Sequence, residues 1–437
     1  MTALPVIDPM PPVADCVLPW DGPVADTVAT IGRARSDCGD TFVVDSGEDR
    51  YLFLFTPAGL AAFYAVPETQ ASKGIADWKM LRRKLPDELF IGRRTLPHEL
   101  FGREAVASYL DALEDAISLQ LAELSDGCEI ELFDFSRRLG HRLGLASWAG
   151  REVLGSARFD ELIAALDALD GAEAFVAPAR MREVARTGKA TEQQAMAQAT
   201  EILAASIGAR SVPGDDLLGT IIQRWDDTSG AERMTGIARD VILVHIGSMS
   251  NLFAALGWSL VHLVQHPDVL TRLRSGSGNG ADSDLASRCV LESIRIGQRS
   301  IMLRTVLEPV VVDDGSRAYE VSPGATLATF LPLTNLAGGP GLGRYDPDRW
   351  RGRHFVSPAG LPAEAITTFG HGPHACPARP FSVTAIVRVI ERLFGAYDLE
   401  RRFSDAVPLP GQIGGVARAA APCTVVVTSR AKVSTVL

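Results

Sequence analysis

The sequence has 437 residues, enough for one large core or for two or three ordinary domains, and 46% of them are hydrophobic, which excludes a disordered chain. Its net charge of -10 argues against nucleic acid as the main partner, because a phosphate-binding footprint is basic. The six cysteines, Cys16, Cys38, Cys128, Cys289, Cys376 and Cys423, are widely spaced and form no Cys-x-x-Cys pair, so free thiols are expected rather than a disulfide framework or a zinc ribbon.

The N-terminus has no basic stretch followed by an apolar one, so no secretory leader is expected. Residues 1–35 are Pro-rich and predicted to wrap the surface of a single domain spanning 1–437. Thr41 to Phe55 reads as two strands around a turn at Ser46–Asp49. Thr56 and Pro57 then start a helix as N-cap and first-turn residues. From Glu104 to Leu270 the apolar residues recur at three- and four-residue spacing, which predicts helices.

Within that stretch, Val241 to Val264 is apolar enough for a membrane span. Its middle carries His245, Ser248, Ser250 and Asn251, which are costly in lipid. The central helix of a large soluble core is therefore expected, with no membrane partner. Residues 275–284 form a small polar loop. Helix resumes through Ile296, strands alternate from Leu303 to Phe330 around Asp313-Asp314-Gly315, and a Gly/Pro-rich coil runs to Ala365. A helix from Arg379 to Phe394 and a last strand, Cys423 to Ser429, close a mainly α fold with a small β region.

Residues 369–382 read Phe-Gly-His-Gly-Pro-His-Ala-Cys-Pro-Ala-Arg-Pro-Phe-Ser. Gly370 and Gly372 permit tight turns. Cys376 directly precedes a predicted helix, whose N-terminus favours thiolate over thiol. His374 offers a donor to a carboxylate, and Phe369 offers a face to a flat cofactor. The segment resembles the haem loop of the cytochrome P450 family, Phe-x-x-Gly-x-x-x-Cys-x-Gly. Phe369, Gly372 and Cys376 match, and His374 falls at the usual propionate-binding position. Ala378 replaces the final Gly. Pro377 is less usual and, lacking an N–H, removes one possible donor to the sulfur. The resemblance implies the P450 fold and a haem b whose iron is ligated by Cys376.

Further motifs follow the family's order. Glu292-Ser-Ile-Arg295 puts both charges on one helix face, and Tyr345-Asp-Pro-Asp-Arg-Trp350 supplies Arg349. By the resemblance, Glu292, Arg295 and Arg349 form a buried structural network behind the haem. Arg304 matches the Arg that reaches a propionate. A second propionate partner is either Arg94, after the aromatic Phe90, or Arg82, after Trp78. His98 is a further candidate.

The family's oxygen-binding helix usually carries an acid followed by Thr. Here the equivalent stretch is Gly247-Ser248-Met249-Ser250-Asn251, and no carboxylate lies between Asp240 and Asp268. Ser and Asn position water but do not titrate near neutral pH. Asn251, with Trp258 beyond it, resembles the branch of sterol 7α- and 12α-hydroxylases and prostacyclin synthase, which holds both monooxygenases and an isomerase.

The resemblance maps substrate contacts to Leu243, Met249, Ile301, Met302, Gln412 and Ile413, a mainly apolar set. It implies a cytoplasmic, monomeric, bacterial-type oxidoreductase of secondary metabolism, acting with O2 and two electrons from a separate ferredoxin or flavodoxin. Arg351, Arg353, Arg379 and Arg388 are candidates to attract that partner. The alternative is a haem-thiolate isomerase, peroxide-driven oxidant or nitrene-type group transferase.

Overall fold

Short β pieces and one helix open the chain in the structure, a computed structural model that describes residues 4–95, 97–101, 106–170, 178–210, 214, 216–275, 282–352 and 361–430. After β1 (Ile7–Asp8), helix α1 (Thr27–Cys38) begins inside the segment expected to wrap the surface. Asp26 makes that possible by accepting the Ala29 N–H as an N-cap. Strands β2 (Thr41–Ser46) and β3 (Asp49–Leu54) pair antiparallel across the Ser46–Asp49 turn, and Phe42 stacks on Phe53 with ring centroids 5.2 Å apart. Both strands are buried on nearly every residue, so they read as continuous apolar runs rather than alternation.

Helix α2 (Pro57–Ala65) starts at Thr56, whose side chain accepts the Gly59 N–H. Strand β4 (Ala71–Ser72), α3 (Lys73–Arg82), α4 (Pro97–Leu100) and α5 (Val106–Leu121) follow. Strand β5 (Glu129–Glu131) interrupts the region predicted as wholly helical. Glu131 ends that strand and caps α6 (Leu132–Trp148) by accepting the Asp134 N–H, so one residue serves both elements.

Next come α7 (Phe159–Asp170), α8 (Pro178–Arg186), α9 (Ala190–Gly208) and α10 (Leu217–Gln223), then α11 (Gly230–Gln265) at the centre. Helix α11 is long and apolar enough to cross a membrane, but 72% of its apolar window is buried inside the fold. It packs against α6, α9 and α13 (Leu285–Gly297), the last reached through α12 (Pro267–Ser275). Gly140 lets α6 approach α11, since a Cβ there would fall 2.1 Å from the Phe253 ring.

Strands β6 (Ile301–Val306), β7 (Val310–Asp313), β8 (Ala318–Val321) and β9 (Thr326–Phe330) complete two sheets, ordered β2-β3-β9-β6-β4 and β1-β8-β7. A short helix, α14 (Leu331–Asn335), opens the predicted coil. Helix α15 (Arg379–Ala396) leads to β10 (Tyr397–Arg401) and β11 (Thr424–Ser429), which join β5 in a third sheet.

Candidate functional site

The cysteine loop turns where its glycines allow it. Gly370 has φ +79, and a Cβ there would lie 2.8 Å from the His374 carbonyl oxygen. The Cys376 N–H donates to the Phe369 carbonyl at 2.7 Å, which closes the loop. Burial pushes the Cys376 thiol up, while the Ala378 and Arg379 N–H groups at the start of α15, with the charges of Lys73 and Arg379, pull it the other way. Pro377 lacks a donor, yet the two residues after it aim theirs at the sulfur.

Arg304 is fully buried and donates to three backbone carbonyls: Ala71 at 2.9 Å, Phe63 at 2.6 Å and Val66 at 2.5 Å. His374 lies near it. Both approach one carboxylate, Glu68 Oε2, at 3.7 Å each. Glu68 was not foreseen from sequence. It caps α3, accepting from Ser72 Oγ at 2.6 Å and from the Lys73 and Gly74 N–H groups. Burial alone would raise its pKa, but these donors win and hold it below the usual value. Burial, with Arg304 nearby, lowers His374.

Arg94 and Arg82 are engaged elsewhere. Arg94 pairs with Asp227 and lies 4.3 Å over the Trp225 ring, while its backbone N–H faces Asp240. Arg82 pairs with Asp87 at 2.8 Å beside the exposed Trp78. His98 is exposed on α4. Neither arginine joins the Arg304–His374 group, because acidic partners on other elements already hold them.

On α13, Glu292 accepts from Arg295 at 2.8 and 2.7 Å, from Arg349 Nε at 3.0 Å and from the Asp346 N–H at 2.9 Å. Trp350 Nε1 adds a fourth donor group at 2.9 Å, which sequence reasoning missed. Arg295 also donates to the Asn335, Leu342 and Arg344 carbonyls. Glu292 and Arg295 are 0% exposed, and every contact is charge-assisted.

The middle of α11 is different. Gly247 and Asn251 are exposed and Leu243 half-buried, in a helix otherwise packed into the core. A Cβ on Gly247 would meet no atom within 4 Å. Asn251 Oδ1 accepts the Val416 N–H at 3.0 Å. Gln412 holds its own loop: it donates to the Gly414 and Val416 carbonyls and accepts from the Arg418 N–H. Met249, Met302 and Ile413 are buried in core clusters, and Ile301 packs against the cluster that holds Ile413. Ser250 donates to Asp170, an acid of α7 that the sequence reading did not connect to α11.

No protein-family model matches the chain. Over 200 residues it is 31% identical to the Mycobacterium tuberculosis protein named cytochrome P450 141, a match that spans 44% of each chain. It is 29% identical over 191 residues to the cytochrome P450 monooxygenase CYP512U6 of Ganoderma lucidum, covering 39% of this chain and 37% of that one. It is 26% identical over 189 residues to human 24-hydroxycholesterol 7-alpha-hydroxylase, covering 39% and 38%. These matches therefore span less than half the length of each relative. The fold superposes on retinoic acid-bound cyanobacterial CYP120A1 with a TM-score of 0.73, over 97% of this chain and 100% of that one, at 17% identity. The chain is thus similar to cytochromes P450 over part of its sequence, and its fold is theirs.

The cofactor of a cytochrome P450 is thiolate-ligated haem b, and the residues present fit it. Among the described residues no group of three or more His, Cys, Asp and Glu could hold a bare metal ion. Open space lies beside Gly247, where a Cβ would meet no atom within 4 Å. Arg304 and His374 already converge on a carboxylate, and Arg304 keeps two of its five N–H groups beyond the three given to carbonyls. Cys376 would hold the iron, Arg304 and His374 the propionates, and Phe369 a ring face. Of the surface arginines, Arg351 pairs with Asp282 and Asp348, and Arg388 with Glu114 and Glu391. Arg353 lies outside the described residues.

Proposed function

We propose that this chain is a cytochrome P450 monooxygenase that oxidises a small, mainly apolar organic molecule, using O2 and two electrons from a separate ferredoxin or flavodoxin. The observation that carries the reading is the open stripe of Leu243, Gly247 and Asn251 within an otherwise buried helix. When bound, the haem supplies the oxygen-activating redox chemistry.

The chain's own residues do the rest. Cys376 is the iron ligand, and the Ala378 and Arg379 N–H groups fix its sulfur. Leu243 and Ile301 offer apolar contact to a substrate. Asn251 is turned by the Val416 N–H so that its oxygen is occupied and its amide N–H groups remain as donors. Two similar proteins are named for retinoic acid and 24-hydroxycholesterol, both largely hydrocarbon, which supports an apolar substrate class. An acidic electron carrier would dock along α15, which Arg379 opens and which carries Arg388 at its middle.

The test has two stages. The reduced protein should give the thiolate-type carbon monoxide spectrum. With a reductase and labelled O2, one labelled oxygen should enter the product. Product formed without electrons, or without label, overturns the monooxygenase reading. One observation favours the second reading, an isomerase, peroxide-driven oxidant or group transferase: the acid–alcohol pair of α11 is replaced by Ser250 and Asn251.

A further inference from the structure

Helix α11 carries no acid between Asp240 and Asp268, yet a carboxylate touches its middle. Asp170, the last residue of α7, accepts from Ser250 Oγ on Oδ2 and from Lys84 Nζ on Oδ1 at 2.9 Å. Lys84 also donates to the Asp170 carbonyl. Lys84 is 5% and Asp170 4% exposed, so this is a buried ion pair that reaches one hydroxyl on the central helix. Successive residues of a helix turn by about 100°, which places Ser250 about 20° from Leu243 and about 60° from Gly247. Ser250 therefore borders the open stripe.

The bonding has a direction. An ionised carboxylate only accepts, so the Ser250 hydrogen points at Asp170 and the Ser250 lone pairs are left to accept from the stripe. A proton placed on Asp170 Oδ2 reverses this, and the Ser250 hydroxyl then donates toward the stripe.

From this geometry we infer that Asp170 and Ser250 form the proton relay of the distal side, with the acid supplied by α7 instead of α11. In each passage a solvent proton binds Asp170 Oδ2. The Ser250 O–H bond breaks as its proton passes to an acceptor over the stripe, and the Asp170 proton moves to Ser250 Oγ. Asp170 ends as a carboxylate, Ser250 as a hydroxyl, and no electron moves. Asp170 and Lys84 act through Ser250 and are positioning residues. The inference rests on the haem reading above.

The test uses the haem-loaded protein and reads the carbon monoxide stretching band of its reduced complex, which senses the field at the stripe without turnover. Ser250→Ala and Asp170→Asn should both move the band, the double variant should move it no further, and Asp170→Glu should return it toward wild type. Under turnover, Asp170→Asn should lose about a hundredfold in product rate, with Asp170→Glu recovering most of it. Ser250→Ala removes one oxygen and leaves packing intact, so it decides the matter even where Asp170→Asn fails to fold. An unmoved band and an unchanged rate in Ser250→Ala overturn the relay alone. A wild-type protein without the thiolate-type spectrum overturns the haem reading, and the relay with it.

Discussion

The two sides of the site are built differently. On α13, Glu292 and Arg295 are 0% exposed and bonded to each other, to Arg349, to Trp350 and to backbone carbonyls. Elsewhere in the fold, α11 opens at Gly247 and Asn251, and its polar groups are held by residues from distant elements: Asp170 on α7, itself paired with Lys84 after α3, and Val416 near the C-terminus. The first side is a closed framework. The second is an adjustable surface whose chemistry depends on what neighbouring elements present to it. Substitutions should therefore reduce stability on the first side and change function on the second.

The largest expected effect is on the framework. Glu292→Ala leaves the buried Arg295 and the partly buried Arg349 guanidinium groups without their anion, and should destabilise the fold by about 3–5 kcal/mol. Urea unfolding measures this, and the same variant should lose haem on purification. A variant with wild-type unfolding and full haem content would break the contrast between the two sides.

Acid should attack both sides, because each buries a neutral histidine. On the framework side, His262 bonds Ser293 Oγ at 3.0 Å and stacks on Tyr345 and Trp258; burial, with His266 and Arg295, lowers its pKa to about 3. On the other side, burial holds His245 well below 6.5. Its tautomer is set by its partners. Trp148 Nε1–H donates to His245 Nδ1, so the His245 proton sits on Nε2 facing His141 Nδ1, and the His141 proton faces Asp167. Above pH 6.5 the folded and unfolded chains are both neutral at these rings, and this stability is fully present. As pH falls below about 6.5 the unfolded chain takes up protons that the folded chain refuses, so stability falls toward the folded value of about 3 for His262. Thermal melts across this window should show the loss, and His262→Phe should make it shallower.

A smaller effect is expected at Trp350. Trp350→Phe keeps an aromatic ring, though a smaller one, and removes one hydrogen bond to a buried carboxylate, worth about 1.5–3 kcal/mol. Unfolding should show a loss below that of Glu292→Ala, with haem retained.

The difference between the sides also explains what the sequence could show. Glu292, Arg295 and Arg349 stand in short motifs, so residue order alone points to their network, and Cys376 stands in a loop whose glycines and following helix dictate its geometry. The strands and the long apolar helix are legible for similar reasons. What escaped is long-range. Asp170 lies 80 residues from Ser250, and Val416 lies 165 from Asn251. Glu68 meets Arg304 only because α3 and β6 are neighbours in space. The amide of Gln412 holds its own loop, which no spacing rule reveals. Arg94 matched a motif, yet Asp227 and Trp225 claim it.

The smallest stability effect is predicted at Gly247, where it should run in the opposite direction. A Cβ there meets nothing within 4 Å, and Gly within a helix is less favourable than Ala by about 0.5–1 kcal/mol. Gly247→Ala should therefore leave stability unchanged or raise it by that amount. The added methyl projects into the open stripe, so substrate-induced spectral changes of the haem-loaded protein should weaken while the unfolding midpoint holds or rises. A Gly247→Ala protein that is clearly destabilised would mean that this stretch is packed like the framework, and the contrast between the two sides would not stand.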